Sequence, residues 1–127
     1  MRIEHVALWT QDLERLRAFY ERYFAATAGA RYENARKQFQ SYFLAFKDGA
    51  RIELMCSPRV RGLTTGEERI GYAHLAVALG SEAAVDALTQ RLHTDGYAVV
   101  DGPRRTGDGY YESVVLDPDG NRIELTV

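Results

Sequence analysis

The chain has 127 residues, 46% of them hydrophobic, and a formal net charge of −2; that size suits one domain, and the balance excludes both a disordered chain and a polyanion-binding surface, so nucleic acid is not an expected partner. No run approaches the ~18 apolar residues of a membrane span, and Met-Arg-Ile-Glu-His at the start lacks the charged-then-apolar layout of a secretory signal, so a cytoplasmic protein with no membrane partner is expected. The single Cys56 leaves no intrachain disulfide, in keeping with a reducing compartment.

Residues 3 to 9 alternate as a half-buried strand, with Ile3, His5, Ala7 and Trp9 on one face and Val6 and Leu8 on the other. Thr10 and Asp12 offer helix caps. From Leu13, the positions Leu16, Phe19, Tyr20, Tyr23 and Phe24 form an apolar stripe at helical spacing, and the helix is expected to end near Gly29. Strands over 40–46 and 50–56 flank the turn Lys47-Asp48-Gly49. Residues 57 to 71, with Pro58, Gly62 and Gly66, read as a long crossing loop. A strand over 72–79 follows, then Ser81 as N-cap, a helix carrying Val85, Leu88 and Leu92, and Gly96 as its stop. Strands near 97–100, 111–116 and 121–127 complete the chain, the last two joined by Asp117-Pro-Asp-Gly120. The plan is β-α-β-β-β twice, in modules of about 1–56 and 72–127 within a single α+β domain.

The halves also repeat in sequence. Asp48-Gly-Ala-Arg-Ile-Glu-Leu54 and Asp119-Gly-Asn-Arg-Ile-Glu-Leu125 differ only at Ala50 against Asn121, and Ile3-Glu-His-Val-Ala-Leu8 aligns with Tyr72-Ala-His-Leu-Ala-Val77. Each half therefore has a histidine early, His5 or His74, and a glutamate late, Glu53 or Glu124. Strand alternation sends Ile52 and Leu54, like Ile123 and Leu125, toward the helix and leaves all four polar residues on the helix-free face. Two imidazoles and two carboxylates make a mixed nitrogen and oxygen set suited to Zn, Ni, Co, Fe or Mn. On a metal able to take six ligands, such a set leaves two positions open for water or substrate, and a glutamate can serve as a base. Glu4 and Glu112 lack repeat support, and His93 near the end of the second helix reads as surface. Cys56 has the opposite parity to Glu53 and is expected to be a buried, inert thiol.

With these residues in place, the chain resembles the vicinal oxygen chelate superfamily, which comprises glyoxalase, bleomycin resistance protein and extradiol dioxygenase. It is most similar to the glyoxalase I-like branch. The resemblance spans essentially the whole chain, and Asp12-Leu-Glu-Arg-Leu-Arg-Ala-Phe-Tyr20 and Asp117-Pro-Asp-Gly-Asn-Arg-Ile-Glu124 carry it alongside the repeat. It implies curved mixed sheets around a metal cleft, with His5, Glu53, His74 and Glu124 as ligands to one divalent metal. It also implies a homodimer, with the site either within one chain or across two. In the glyoxalase I-like branch one glutamate moves a proton between adjacent carbons of a glutathione hemithioacetal; here Glu124 is the first choice for base and Glu53 the second. The implied activity is that of a lactoylglutathione lyase-like isomerase acting on a small dicarbonyl-derived or thiol-conjugated substrate, with glutathione or another thiol as co-substrate. The rivals are a fosfomycin-type antibiotic-modifying transferase or hydrolase, which uses a three-ligand pattern, and a bleomycin-like drug-binding protein, which lacks the metal set. The chain offers no match to the residues by which glyoxalase I holds the glutathione carboxylates, so the substrate stays open. Arg36 with Lys37, Arg59 with Arg61, or Arg104 with Arg105 could hold an anion, and Trp9, Tyr110 and Tyr111 could line the pocket.

Overall fold

The computed structural model describes residues 1–62 and 70–127, so most of the expected crossing loop's second half, Gly66 included, lies outside the described residues. Two compact units, Met1–Gly62 and Leu63–Val127, correspond to the two repeats.

In the first unit the elements are β1 (His5–Trp9), α1 (Leu13–Phe24), β2 (Thr27–Ala28), β3 (Tyr32–Asn34), a 3₁₀ turn (Ala35–Lys37), β4 (Phe39–Ala45) and β5 (Arg51–Cys56). They build a mixed sheet in the order β1-β5-β4-β2, with β3 also paired to β4. β1 runs parallel to β5, and the other pairs are antiparallel. Asp12 starts α1 by accepting a bond from the Arg15 backbone N–H at 3.0 Å. The helix stops at Phe24 rather than near Gly29, because Ala25 already adopts the left-handed conformation with φ 51°. The apolar stripe of α1, with Leu16, Phe19, Tyr20 and Tyr23 all buried, covers Tyr42, Leu44, Ile52 and Leu54 of the sheet. Each such side chain fully withdrawn from water contributes roughly 1.5–3 kcal/mol, which makes this one-sided burial the dominant constraint on strand register.

The second unit contains β6 (Leu75–Ala78), α2 (Glu82–Thr94), β7 (Val99–Arg105), β8 (Tyr111–Leu116) and β9 (Arg122–Thr126), in the sheet order β6-β9-β8-β7. Ser81 caps α2 through the Ala84 N–H at 3.2 Å, and Gly96 follows its end with φ +90°. Val85, Leu92, Val115, Ile123 and Leu125 are wholly buried between helix and sheet. Leu88 is only half-buried; Thr89 takes the inward position one residue later, its hydroxyl bonded to the Ser113 hydroxyl at 2.6 Å and to the Val85 carbonyl at 2.7 Å.

The one mismatch in the seven-residue repeat has a local cause. Asp117 is buried and accepts bonds from the backbone N–H groups of Asp119 and Asn121 and from the Asn121 side-chain amide, each at 2.9 Å. Burial pushes its carboxyl above the ordinary range, and these bonds work against that rise. In the first unit Phe46 occupies the position of Asp117, so there is no carboxylate to satisfy and Ala50 suffices.

The units differ most in the strand that follows the helix. In the second unit it runs over Val99–Arg105, longer than the expected 97–100, and is carried past an irregularity between Val99 and Arg104. Gly102 lies at that irregularity with φ +77°, and a Cβ there would stand 2.6 Å from the Glu112 carbonyl oxygen. In the first unit the same path is split into β2 and β3, whose pairings Ala28↔Leu44 and Tyr32↔Ser41 correspond to Val99↔Val115 and Arg104↔Glu112. Both pieces are short and largely exposed, so no hydrophobic alternation announces them.

Candidate functional site

Within each unit one histidine and one glutamate meet across a parallel strand pair. Ala7 is the register partner of Glu53, and His5 stands two residues earlier on the same face of β1. Its Nε2 lies 3.8 Å from a Glu53 carboxylate oxygen. In the second unit Ala76 is the partner of Glu124, and His74 precedes it by the same two residues. There the Nε2 to carboxylate distance is 3.3 Å. The glutamate side chains are 16% and 19% exposed, and both histidines are more open. The arrangement follows from the core: burying Ile52 and Leu54, or Ile123 and Leu125, under a helix leaves the intervening glutamate on the other face, where the small alanine opposite lets the imidazole reach across.

These pairs fit a metal ion chemically and metrically. Neutral imidazole and carboxylate are standard donors for borderline divalent cations, and two bonds of about 2.1 Å at right-angled to tetrahedral geometry separate the donor atoms by about 3.0–3.4 Å. The second pair already has that spacing, and the first needs a side-chain rotation of about half an ångström. Among the described residues no three His, Cys, Asp or Glu side chains are arranged so that they could together hold a metal ion. Each unit thus supplies one histidine and glutamate pair at or near ligand spacing.

A further acid touches the first pair. Glu4 accepts a hydrogen bond from His5 Nδ1 and also holds Arg51, whose Nε donates to it at 2.8 Å. The His5 contact and the Arg51 guanidinium hold the Glu4 carboxyl below its usual range. Arg51 lies over the Phe43 ring at 4.2 Å, and His5 meets that ring edge-on at 5.3 Å. Alternation hides Glu4, because the neighbour of an inward residue in a strand points the other way. β1 begins at His5, so Glu4 lies outside the strand and is not bound by its parity. The usable signal is the pairing of Arg51 with His5 in the parallel register.

The remaining candidates separate clearly. Trp9 lies on the His5 face with its ring edge-on to Phe39 at 6.1 Å, and the Tyr32 ring lies 6.2 Å from that of Phe39. Arg104 shares the face of Glu124, since Arg104 pairs with Glu112 and Val114 with Glu124. Its guanidinium is already engaged, at 2.6 Å to Asp101 and 3.7 Å to Glu112, and it draws the Asp101 carboxyl below the ordinary value. Tyr111 is placed on the helix face instead, with Ser113 and Val115. Its hydroxyl donates to Asp86 of α2 at 2.7 Å, which raises its pKa, and Arg105 covers its ring while pairing with Glu82. Tyr110 is exposed in the preceding turn, bonded through its backbone to Thr106. Arg36 is exposed in the 3₁₀ turn capped by Asn34. Cys56 pairs with Gln40 on the Leu54 side of β5 and is half-buried rather than buried.

Comparison with known proteins places this architecture. The model of the Glyoxalase/Bleomycin resistance protein/Dioxygenase superfamily matches residues 2–125, and the chain belongs to that superfamily. It is 27% identical to the uncharacterized protein YqjT of Bacillus subtilis (strain 168), over 97% of this chain and 96% of that one. It is similar to the structure of a possible glyoxalase from Bacillus cereus, with 29% identity, a TM-score of 0.75, and 100% and 99% of the two chains covered. Glyoxalase I of Zea mays shares the fold at 22% identity and a TM-score of 0.81; the chain spans 44% of that enzyme's length. Members of this superfamily generally use a divalent metal and bind small molecules. No helix among the described residues is long and apolar enough to cross a membrane.

Proposed function

We propose that His5, Glu53, His74 and Glu124 together hold one divalent transition metal and that the protein is a glyoxalase I-type lyase or isomerase working on a small dicarbonyl-derived or thiol-conjugated substrate. The observation that supports this reading is the recurrence, in both units, of a histidine Nε2 and a glutamate oxygen at ligand spacing on the helix-free face of a parallel strand pair. A full set needs both pairs, taken from one chain or from two copies in a dimer. Two neutral imidazoles with two carboxylates balance the charge of a divalent cation. Bound there, such a cation would act as a Lewis acid, stabilising negative charge on neighbouring substrate oxygens.

The chain's own groups do the rest. Glu124 removes a proton from one substrate carbon and delivers it to the next, a transfer that contributes roughly 10²- to 10⁴-fold; Glu53, its repeat counterpart, is the second candidate for that role. Trp9, Phe39 and Phe43 lay apolar surface beside the His5–Glu53 pair and limit water there. Glutathione is the first thiol to try as co-substrate.

Elemental analysis of the purified protein beside His5→Ala and His74→Ala tests the reading, followed by turnover of methylglyoxal with glutathione after loading with Zn, Ni, Co, Fe or Mn. About one metal per four-donor set, lost in both variants, with activity abolished by chelation and by Glu124→Gln, is the expected result. A protein that stays metal-free after incubation with all five ions would overturn it in favour of a small-molecule binding protein. Consumption of an epoxide antibiotic dependent on added thiol, with no turnover of the hemithioacetal, would instead favour the antibiotic-modifying class.

A further inference from the structure

The two histidines are not held alike. His5 has one ring nitrogen on a carboxylate: Glu4 receives Nδ1, is itself clamped by the Arg51 guanidinium, and is tied through its own carbonyl to the Arg51 backbone N–H at 3.0 Å. Arg51 is fixed in turn over Phe43, the same ring that packs edge-on against the imidazole. Three side chains, Glu4, Arg51 and Phe43, thus close a loop with His5 that leaves its Nε2 on the Glu53 side. The repeat does not reproduce this loop, because Ala73 stands where Glu4 stands and Val114 where Phe43 stands, although Arg122 matches Arg51.

An exposed carboxylate at neutral pH is an acceptor only, so the hydrogen of this bond must sit on Nδ1. A neutral imidazole has a single N–H, which leaves Nε2 with its lone pair directed at the Glu53 side. Free imidazole side chains mix both tautomers, and a histidine that must lose the wrong proton or turn its ring before coordinating binds more weakly.

We infer that Glu4 is a positioning residue which fixes the tautomer and ring orientation of His5, so that the first unit carries the better prepared half of the metal set. The inference rests on the metal-holding reading of His5, and its consequence is asymmetric. Changes at Glu4 alter the His5 donor and leave His74 as it was. Since Glu4 reaches the metal only through His5, its removal weakens binding without deleting a ligand, by about 10- to 100-fold.

Nitrogen-15 NMR of the metal-free protein and of Glu4→Ala, near pH 8, reads the tautomer directly, and zinc titration against a colorimetric chelator reads the affinity. The expected result is an Nδ1–H tautomer at His5 in the wild type that is lost in Glu4→Ala, unmoved His74 resonances, and a zinc Kd raised about 10- to 100-fold. Glu4→Asp should recover part of the affinity. An Nε2–H tautomer at His5 in the wild type, or a zinc Kd unchanged in a folded Glu4→Ala, overturns the inference. If the wild type binds no zinc yet shows the Nδ1–H tautomer, the metal reading fails while the positioning of His5 by Glu4 stands.

Discussion

Adjacent residues of β5 should behave oppositely when mutated. Leu54 is 0% exposed under α1, whereas Glu53 faces away from the helix. Truncating Leu54 to Ala removes three carbons, about 2.4 kcal/mol of transfer free energy, and the unfilled space brings the total to about 3–4 kcal/mol. At this chain length that lowers Tm by about 10–20 °C. Glu53→Gln keeps the shape of a side chain outside the core, so the metal-free protein should change by no more than about 0.5 kcal/mol. On the proposed metal-holding reading its effect falls on metal binding: about 10–16 kcal/mol spread over four donors gives about 3 kcal/mol for one, a loss of about 100-fold. Thermal melts in chelator and zinc titration of the two variants measure both axes. If Leu54→Ala cost less than 1 kcal/mol, or if Glu53→Gln destabilised the metal-free protein by more than 2 kcal/mol, the division of β5 into a core face and a site face would be wrong.

Gly102→Ala should destabilise by about 2 kcal/mol or more, since the new Cβ meets the Glu112 carbonyl oxygen at 2.6 Å in a left-handed backbone conformation; chemical denaturation reads this, and a change within 0.5 kcal/mol would contradict the close approach. Ser81→Ala removes the N-cap of α2 and should cost about 1 kcal/mol in the same assay, with Ser81→Gly costing less. Tyr111→Phe should leave zinc affinity unchanged, because Tyr111 lies on the helix face. Its hydroxyl titrates above the ordinary 10 when folded, so the stability difference from wild type should be full below pH 10 and vanish as pH rises through the raised value; a difference that grows above pH 10 would refute the Tyr111–Asp86 bond.

The duplicated plan was legible because it is written in the core. Ile52, Leu54, Ile123 and Leu125 alternate with polar residues, the α1 stripe recurs at helical spacing, and both helix starts carry capping side chains. The histidine and glutamate candidates followed from the same alternation, and their pairing within each unit has the register that it requires. What escaped the sequence lies where no periodic signal exists. β2 and β3 are too short and exposed to alternate, and the extended β7 passes a glycine and a proline that break the pattern. Glu4 was missed because it precedes its strand, and Tyr111 was expected near the site although its parity with Ser113 and Val115 sends it to α2.

Duplication explains the donors but not their surroundings, and the surroundings decide what the donors can do. On the helix-free face of the first unit, Phe43 pairs with Glu53 in register and Ser41 with Met55, with Trp9 and Phe39 beyond. On the corresponding face of the second unit, Val114 pairs with Glu124 and Glu112 with Thr126, with Arg104 and Asp101 beyond. One pair therefore sits beside aromatic surface and the Glu4–Arg51 ion pair, and the other beside the charges of Arg104, Asp101 and Glu112. On the proposed metal-holding reading, two carboxylates in identical settings would share every role equally, and neither would be set aside for proton transfer. Unlike walls around two similarly built His and Glu pairs would, on that reading, let the repeated glutamates take different functions.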